Sequence, residues 1–163
     1  MLVLLNHTAF SLIGNGRCLS SGSVTTADNI LISTAVANTP LPDLIYRPDT
    51  DRYIVAWQQG GNVYSRGVLP NGTVAGGATA VANTSQVETY PRLASDASGT
   101  LLVWQRQNTG SGYDLHARPL DANGQPTGET FTIQEAASNQ QSPAIAYGSG
   151  NRYQLAWQDD ATG

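Results

Sequence analysis

Apolar residues in this chain do not keep helical spacing over any sustained stretch. They come in short runs rich in Val, Ile, Leu, Tyr and Trp, separated by Gly, Asn, Asp and Ser, which is the pattern of β-strands joined by turns. The clearest stretch runs from Pro91 to Gln141. It reads as four strands: Pro91 to Ala94, Thr100 to Gln105, Tyr113 to Leu120 and Glu129 to Gln134. The fold class this predicts is all-β, with the four-stranded antiparallel unit as its building block.

The unit repeats. A Trp-Gln pair closes an apolar run at Trp57-Gln58, Trp104-Gln105 and Trp157-Gln158, at spacings of 47 and 53 residues. Before each lies a strand opened by proline, at Pro42, Pro91 and Pro143. Further on, Arg66-Gly67 with Asn71-Gly72 matches Arg118-Pro119 with Asn123-Gly124, and Arg17-Cys18-Leu19 is a worn third copy. Asn-Gly between β runs predicts type I′ hairpins. Thr34 to Thr39 also recurs letter for letter as Thr79 to Thr84. With the strands of a unit called A to D, the chain divides into a partial unit at 1–39 (B-C-D), units at 40–86 and 87–140, and a partial unit at 141–163 (A-B). Met1 to Asn6 takes the Trp-bearing station B of the first.

Repeats of four strands over roughly 40 to 50 residues are the mark of a β-propeller. The Trp-Gln and Arg stations resemble the tryptophan-containing blade repeats of bacterial multi-repeat β-propeller proteins, over nearly the whole chain. That resemblance implies a propeller with about three blades in this chain, and it says little about activity. Propellers close with about four to eight blades. The ends are complementary, A-B against C-D, so closure is expected between chains: a homo-oligomer, with two copies forming a six-bladed ring.

Charge narrows the partners. Charged residues are 12% of the chain, the net charge is -4 and the pI is about 4.8. The positive charges are all arginine. This lacks the basic footprint of a nucleic-acid binder and disfavours an anionic membrane. Cys18 alone makes neither an internal disulfide framework nor a cysteine zinc site. The apolar start, Met1 to Leu5, is too short for a signal h-region, and no run is long enough for a membrane helix. Compartment stays open.

Candidate binding residues are the repeated ones. Trp57, Trp104 and Trp157 are sugar-stacking platforms or, more in keeping with their apolar strands, packing between sheets. Gln58, Gln105 and Gln158 sit at strand ends, where they meet ligand or satisfy loop backbone. Arg17, Arg66 and Arg118 offer forks for an anion or, alternatively, pair with a carboxylate such as Asp114. Neither His7 nor His116 has metal-ligand company, no Gly-x-Ser-x-Gly elbow occurs, and no cofactor is implied. The acidic residues Asp43, Asp49, Asp51, Glu88, Asp96 and Glu135 fall at turns. The leading expectation is a non-catalytic binding or assembly module. Its rim, loops 59–62, 106–112 and 159–163, contacts a carbohydrate or protein. The alternatives are a glycan-directed hydrolase with its site at the assembled central channel, and a fragment or cassette-encoded protein without defined activity.

Overall fold

The computed structural model describes residues 2–5, 11–13, 17–19, 29–33, 41–96, 98–109 and 112–161, with side chains from residue 31 onward. Among them every regular element is a β-strand. β1 (Leu2–Leu5) pairs β4 (Asn29–Ser33), and β2 (Ser11–Ile13) pairs β3 (Arg17–Leu19). A first four-stranded antiparallel sheet contains β5 (Asp43–Arg47), β6 (Arg52–Gln59), β7 (Asn62–Val68) and β8 (Val74–Ala82). A second contains β9 (Glu88–Ser95), β10 (Thr100–Asn108), β11 (Gly112–Leu120) and β12 (Phe131–Gln134). A two-stranded sheet of β13 (Gln140–Gly148) and β14 (Arg152–Asp159) follows.

Strand order within each four-stranded sheet is sequential, as expected of hairpins in series. The second strands, β6 and β10, are buried on both faces because a neighbouring sheet covers each side. One seam packs Ile54, Ala56, Val63, Val81 and Ala82 of the first sheet against Leu93, Leu102, Trp104 and Leu120 of the second. The other packs Ile32 of β4 against Val55, Trp57 and Val68. Burying each Val, Leu or Ile side chain there contributes roughly 1.5–3 kcal/mol, so the seams are the core.

Pro91 and Pro143 do not open their strands as the sequence reading had it: β9 starts at Glu88 and β13 at Gln140, and each proline marks a bulge inside its strand. Val103 faces Arg92 and Gln105 faces Thr89, which leaves Tyr90 and Pro91 together opposite Trp104. Ser142 and Pro143 lie likewise opposite Trp157. The residue before each proline has a left-handed backbone: Leu41 at φ 37°, Tyr90 at 55° and Ser142 at 52°. Two residues against one need a local kink, and proline suits the station because it has no N–H for the ladder to lose.

Two further sequence readings change. The Asn-Gly turns are not type I′: only the glycines, Gly72 at φ 85° and Gly124 at 76°, are left-handed. Gly72 N donates to Leu69 O and Leu69 N to Thr73 O, at 2.9 and 2.8 Å. This is a type I turn with a glycine bulge, and Pro70 suits its second position. Second, β1 does not stand at the Trp-bearing station beside strand C, since it pairs β4. The Thr34–Thr39 copy adjoins β4, and it is β4 itself that enters the hydrogen-bonded repeat. Arg66 donates to Ile32 O and Arg118 to Val81 O, so β4 corresponds to β8 with Ile32 matching Val81. The first copy of the identical letters starts after β4, and residues 34–39 lie outside the described ones.

Candidate functional site

The repeated residues converge on the seams. Trp57 and Trp104 are each 1% exposed. Trp57 stacks on Tyr64, its cross-strand partner on β7, at 5.9 Å between ring centroids and 19° between planes. Trp104 stacks on His116, its partner on β11, at 6.2 Å and 28°. Trp157, on the two-stranded sheet, is 39% exposed. Its strand β14 pairs only β13, so no third strand places a ring over it.

The glutamines after the two buried tryptophans point to the next sheet. Gln58 Oε1 accepts from Thr89 Oγ1, and Gln105 Oε1 accepts from Ser142 N at 2.8 Å. Thr89 directly precedes the bulge of its A strand, and Ser142 belongs to the bulge of its own. Thus the Trp sits opposite its own sheet's bulge and the Gln holds its neighbour's. Gln158 is exposed.

The arginines tie backbone to backbone. Arg66 Nε donates to Gly76 O on its own sheet at 3.0 Å, while Nη1 crosses to Ile32 O at 3.0 Å. Arg118 repeats this with Gly128 O at 2.8 Å and Val81 O at 2.9 Å. Their acceptors are carbonyls, where a carboxylate such as Asp114 was the sequence alternative. The side chain of Arg17 lies outside the described residues. Replacing Arg118 by Ala removes a charge-assisted link across the seam, and its expected cost is about 2 kcal/mol of unfolding free energy by urea titration. A change under about 0.5 kcal/mol means the link is not structural.

The seam between the two four-stranded sheets is reinforced by the turn after β11. Asp121 Oδ1 accepts from Asn123 N and Gln125 N, both at 2.8 Å, and shapes the turn. The turn then lies on the first sheet: Ser65 Oγ donates to Gly124 O at 2.5 Å and Thr79 Oγ1 to Gln125 Oε1 at 2.6 Å. Gly67 is needed beneath it, since a Cβ there would lie 2.9 Å from Asn123 Cα.

Of the acidic residues named from the sequence, Asp43, Asp49, Asp51, Glu88 and Asp96 are engaged, and Asp43 and Glu88 lie in β5 and β9 where turns were expected. Asp43 Oδ2 accepts from Leu93 N at 2.7 Å, Glu88 from Thr84 Oγ1 at 2.5 Å, and Asp51 from Tyr46 Oη at 2.8 Å. Asp49 pairs with Arg47 at 2.6 Å, and hydrogen bonding from that guanidinium lowers its pKa. Asp96 Oδ1 holds the turn after β9, accepting from Ser98 N and Gly99 N at 2.6 Å, while Oδ2 accepts from Tyr153 Oη at 3.0 Å. Burial opposes ionisation of Asp96, but these hydrogen bonds outweigh it and hold its pKa at about 2. Burial and the Asp96 bond raise Tyr153 to about 12.

One seam is chemically unlike its counterpart. In the first sheet, Trp57 Nε1 donates to Gln59 Oε1 at 3.1 Å and Ser33 Oγ donates to the same oxygen at 3.0 Å. In the second sheet, Arg106 and His116 stand where Gln59 and Tyr64 stand. There Trp104 Nε1, Arg106 Nε, Asp114 Oδ2 and His116 Nε2 are buried without a partner among the described residues. Trp104 pairs with His116 and Arg106 with Asp114 across β10 and β11, so the four share one face. Burial, and secondarily the Arg106 charge, lower the His116 pKa to about 4. The signal in the sequence was the repeat itself, which shows Arg106 and His116 as departures from Gln59 and Tyr64.

At the rim, loops 106–112 and 159–163 approach each other through Asn139. Asn139 Oδ1 accepts from Tyr113 N at 2.9 Å, and its Nδ2 donates to Asp160 Oδ2 at 2.5 Å. Ala137, Ser138, Asn139, Asp160 and Ala161 line an open hollow of about 500 Å³. A second, of about 460 Å³, lies between Ala75–Thr79 of β8 and Asn123 and Gln125. Residues 110, 111, 162 and 163 of the rim lie outside the described ones. No group of three or more His, Cys, Asp or Glu side chains is gathered for a metal among the described residues.

Family models, curated proteins and solved structures give no match to this chain.

Proposed function

We propose that the chain is a β-propeller section acting as a non-catalytic binding and assembly module, with a carbohydrate as the ligand of its rim. The observation carrying this reading is the hollow beside Asn139 and Asp160. It is open and shallow, and it offers a carboxylate, an amide and a hydroxyl. Such groups accept and donate to the vicinal hydroxyls of a sugar, and an exposed site exchanges their water at small cost. The repeated Trp, Gln and Arg residues hold the blades together and leave recognition to the loops. A protein ligand at the same rim is the alternative partner.

The same reading extends to assembly. The chain carries two four-stranded sheets, one A-B pair and the N-terminal strands. Joining the A-B pair of one copy to C and D strands of another makes three blades per copy. Only two copies then fall in the range of about four to eight blades that propellers close with. The proposed molecule is a six-bladed homodimer with two-fold symmetry.

The binding test is a glycan array probed with the labelled chain, followed by calorimetry on its hits. Asp160→Ala is expected to weaken binding at least tenfold, about 1.4 kcal/mol, with the melting temperature nearly unchanged. Absence of any hit, or hits indifferent to Asp160→Ala, overturns the carbohydrate assignment.

A further inference from the structure

We infer that the seam between the two four-stranded sheets holds one internal water molecule, which accepts from Trp104 Nε1 and Arg106 Nε and donates to Asp114 Oδ2 and His116 Nε2. This site belongs to the fold, and it is independent of what the rim binds and of how copies of the chain assemble.

The preceding seam shows what the tryptophan station requires. Trp57 Nε1 donates to Gln59 Oε1, two residues further along β6, and Ser33 of β4 donates to the same oxygen from across the seam. An indole at this station therefore directs its N–H towards the residue two positions on, where an amide oxygen receives it. The next seam keeps the indole and changes its surroundings. Arg106 stands for Gln59, Asp114 for Asn62 and His116 for Tyr64. Ala82 stands for Ser33, one residue after the matched carbonyls of Val81 and Ile32. A guanidinium offers donors only, so the Trp104 N–H meets a residue that cannot receive it.

Four polar atoms then lie together without a partner in the chain. Trp104 is opposite His116 and Arg106 is opposite Asp114, two adjacent pairs on one face of β10 and β11, where long side chains reach their diagonal neighbours. Trp104, Asp114 and His116 are 1%, 1% and 2% exposed. Trp104 Nε1, Arg106 Nε, Asp114 Oδ2 and His116 Nε2 are buried with no hydrogen-bond partner among the described residues. The neighbouring carboxylate does not serve them. Glu88 pairs with Arg106 from β9 but accepts from Thr84 N and Oγ1. Asp114 Oδ1 accepts from Ala136 N at 3.3 Å, so Oδ2 is the oxygen left for the seam.

The inventory of donors and acceptors selects the occupant. The indole and guanidinium nitrogens donate and the carboxylate oxygen accepts. His116 Nδ1 lies 3.4 Å from Thr132 Oγ1; with the ring proton on Nδ1 and donated to that hydroxyl, Nε2 is an acceptor. Two donors and two acceptors match the two lone pairs and two protons of a single water. An anion would answer only the donors and would meet the Asp114 carboxylate, while a cation would meet Arg106. Ala82 and His116 are smaller than Ser33 and Tyr64, which leaves room for a molecule of this size. Buried waters regularly close such otherwise unmet groups. A proton donated to Nε2 also favours the neutral ring, in line with the lowered pKa of His116.

The test is magnetisation transfer from water to the indole N–H groups, read by NMR on the full chain with 15N-labelled tryptophan. Trp104 Nε1–H is expected to show a water cross peak with the sign of a molecule that stays bound longer than the chain takes to tumble. Trp157, on the open face of β14 and 39% exposed, is expected to lack a peak of that sign. Arg106→Gln restores the acceptor that Gln59 supplies in the first sheet, and it is expected to weaken the Trp104 peak at least fivefold. A Trp104 indole with no long-lived water in the parent chain overturns the inference. So does a peak that is equally strong in Arg106→Gln, because the water would then sit elsewhere than at this station.

Discussion

Trp104→Ala is expected to destabilise the chain by about 3–5 kcal/mol, the cost of removing a large buried aromatic. Trp157→Ala is expected to cost less than about 1.5 kcal/mol of unfolding free energy at concentrations where the chain is monomeric. The residues occupy the same station, so the difference isolates environment from identity. Trp104 is 1% exposed and lies in the apolar seam with Ile54, Ala56 and Val81, where deletion leaves a cavity that packed strands on both sides cannot close. Trp157 is 39% exposed and gives up little burial. Denaturant titration of both variants at one protein concentration checks this. Equal losses would mean that Trp157 is packed in solution as tightly as Trp104. If Trp157→Ala instead lowers the light-scattering mass with little loss of unfolding free energy, the residue serves assembly.

How much of this was legible in the sequence depends on what sets each feature. The four-stranded units and the seam role of Trp57 and Trp104 were readable because alternation and repetition are local. The exposure of Trp157 was not, since it depends on strands that do not pair with β14 in this chain. Gln105 does what a strand-end glutamine can be expected to do, and satisfies backbone, but its acceptor role reaches the neighbouring sheet's bulge at Ser142, 37 residues away. The arginines show the limit most clearly. Equivalent spacing marked Arg66 and Arg118 as a pair, yet a side chain's partner is a fact of three-dimensional placement. Carbonyls at Ile32 and Val81 have no signature in a sequence, whereas carboxylates such as Asp114 do. Letter identity is a different kind of signal. Thr34 to Thr39 copies Thr79 to Thr84 residue for residue, but hydrogen bonding sets the equivalence of Ile32 with Val81. The rim hollow at Asn139 and Asp160 was legible only as loop 159–163, because Asn139 belongs to the connection before β13.

The unpaired face of the second sheet leads to an expected loss of stability in mild acid. His116 is 2% exposed and its pKa is lowered to about 4 from 6.5, by burial first and by the Arg106 charge second. Between those values the unfolded chain binds a proton that the folded chain refuses. Stability from this group is therefore fully present above pH 6.5 and is lost as the pH falls towards 4. A difference of that size is linked to at most about 3 kcal/mol. Of the charged groups around the ring, Arg106 disfavours protonation, and Asp114 and Glu88 line up with Arg106 across the strands without a salt bridge to it. The lowered carboxyls do not share this window. Asp49, Asp96 and Asp159 all lie below their ordinary 3.8, so their contributions fade only below about pH 4. The decisive variant is His116→Tyr, which installs the residue that Tyr64 supplies at the same station in the first sheet. Urea titrations at pH 7, 5.5 and 4.5 are expected to show a falling unfolding free energy for the parent chain and a nearly flat one for His116→Tyr. Parallel slopes would mean that His116 is hydrated in the folded protein and protonates freely, which requires the seam between the two sheets to be open at that end.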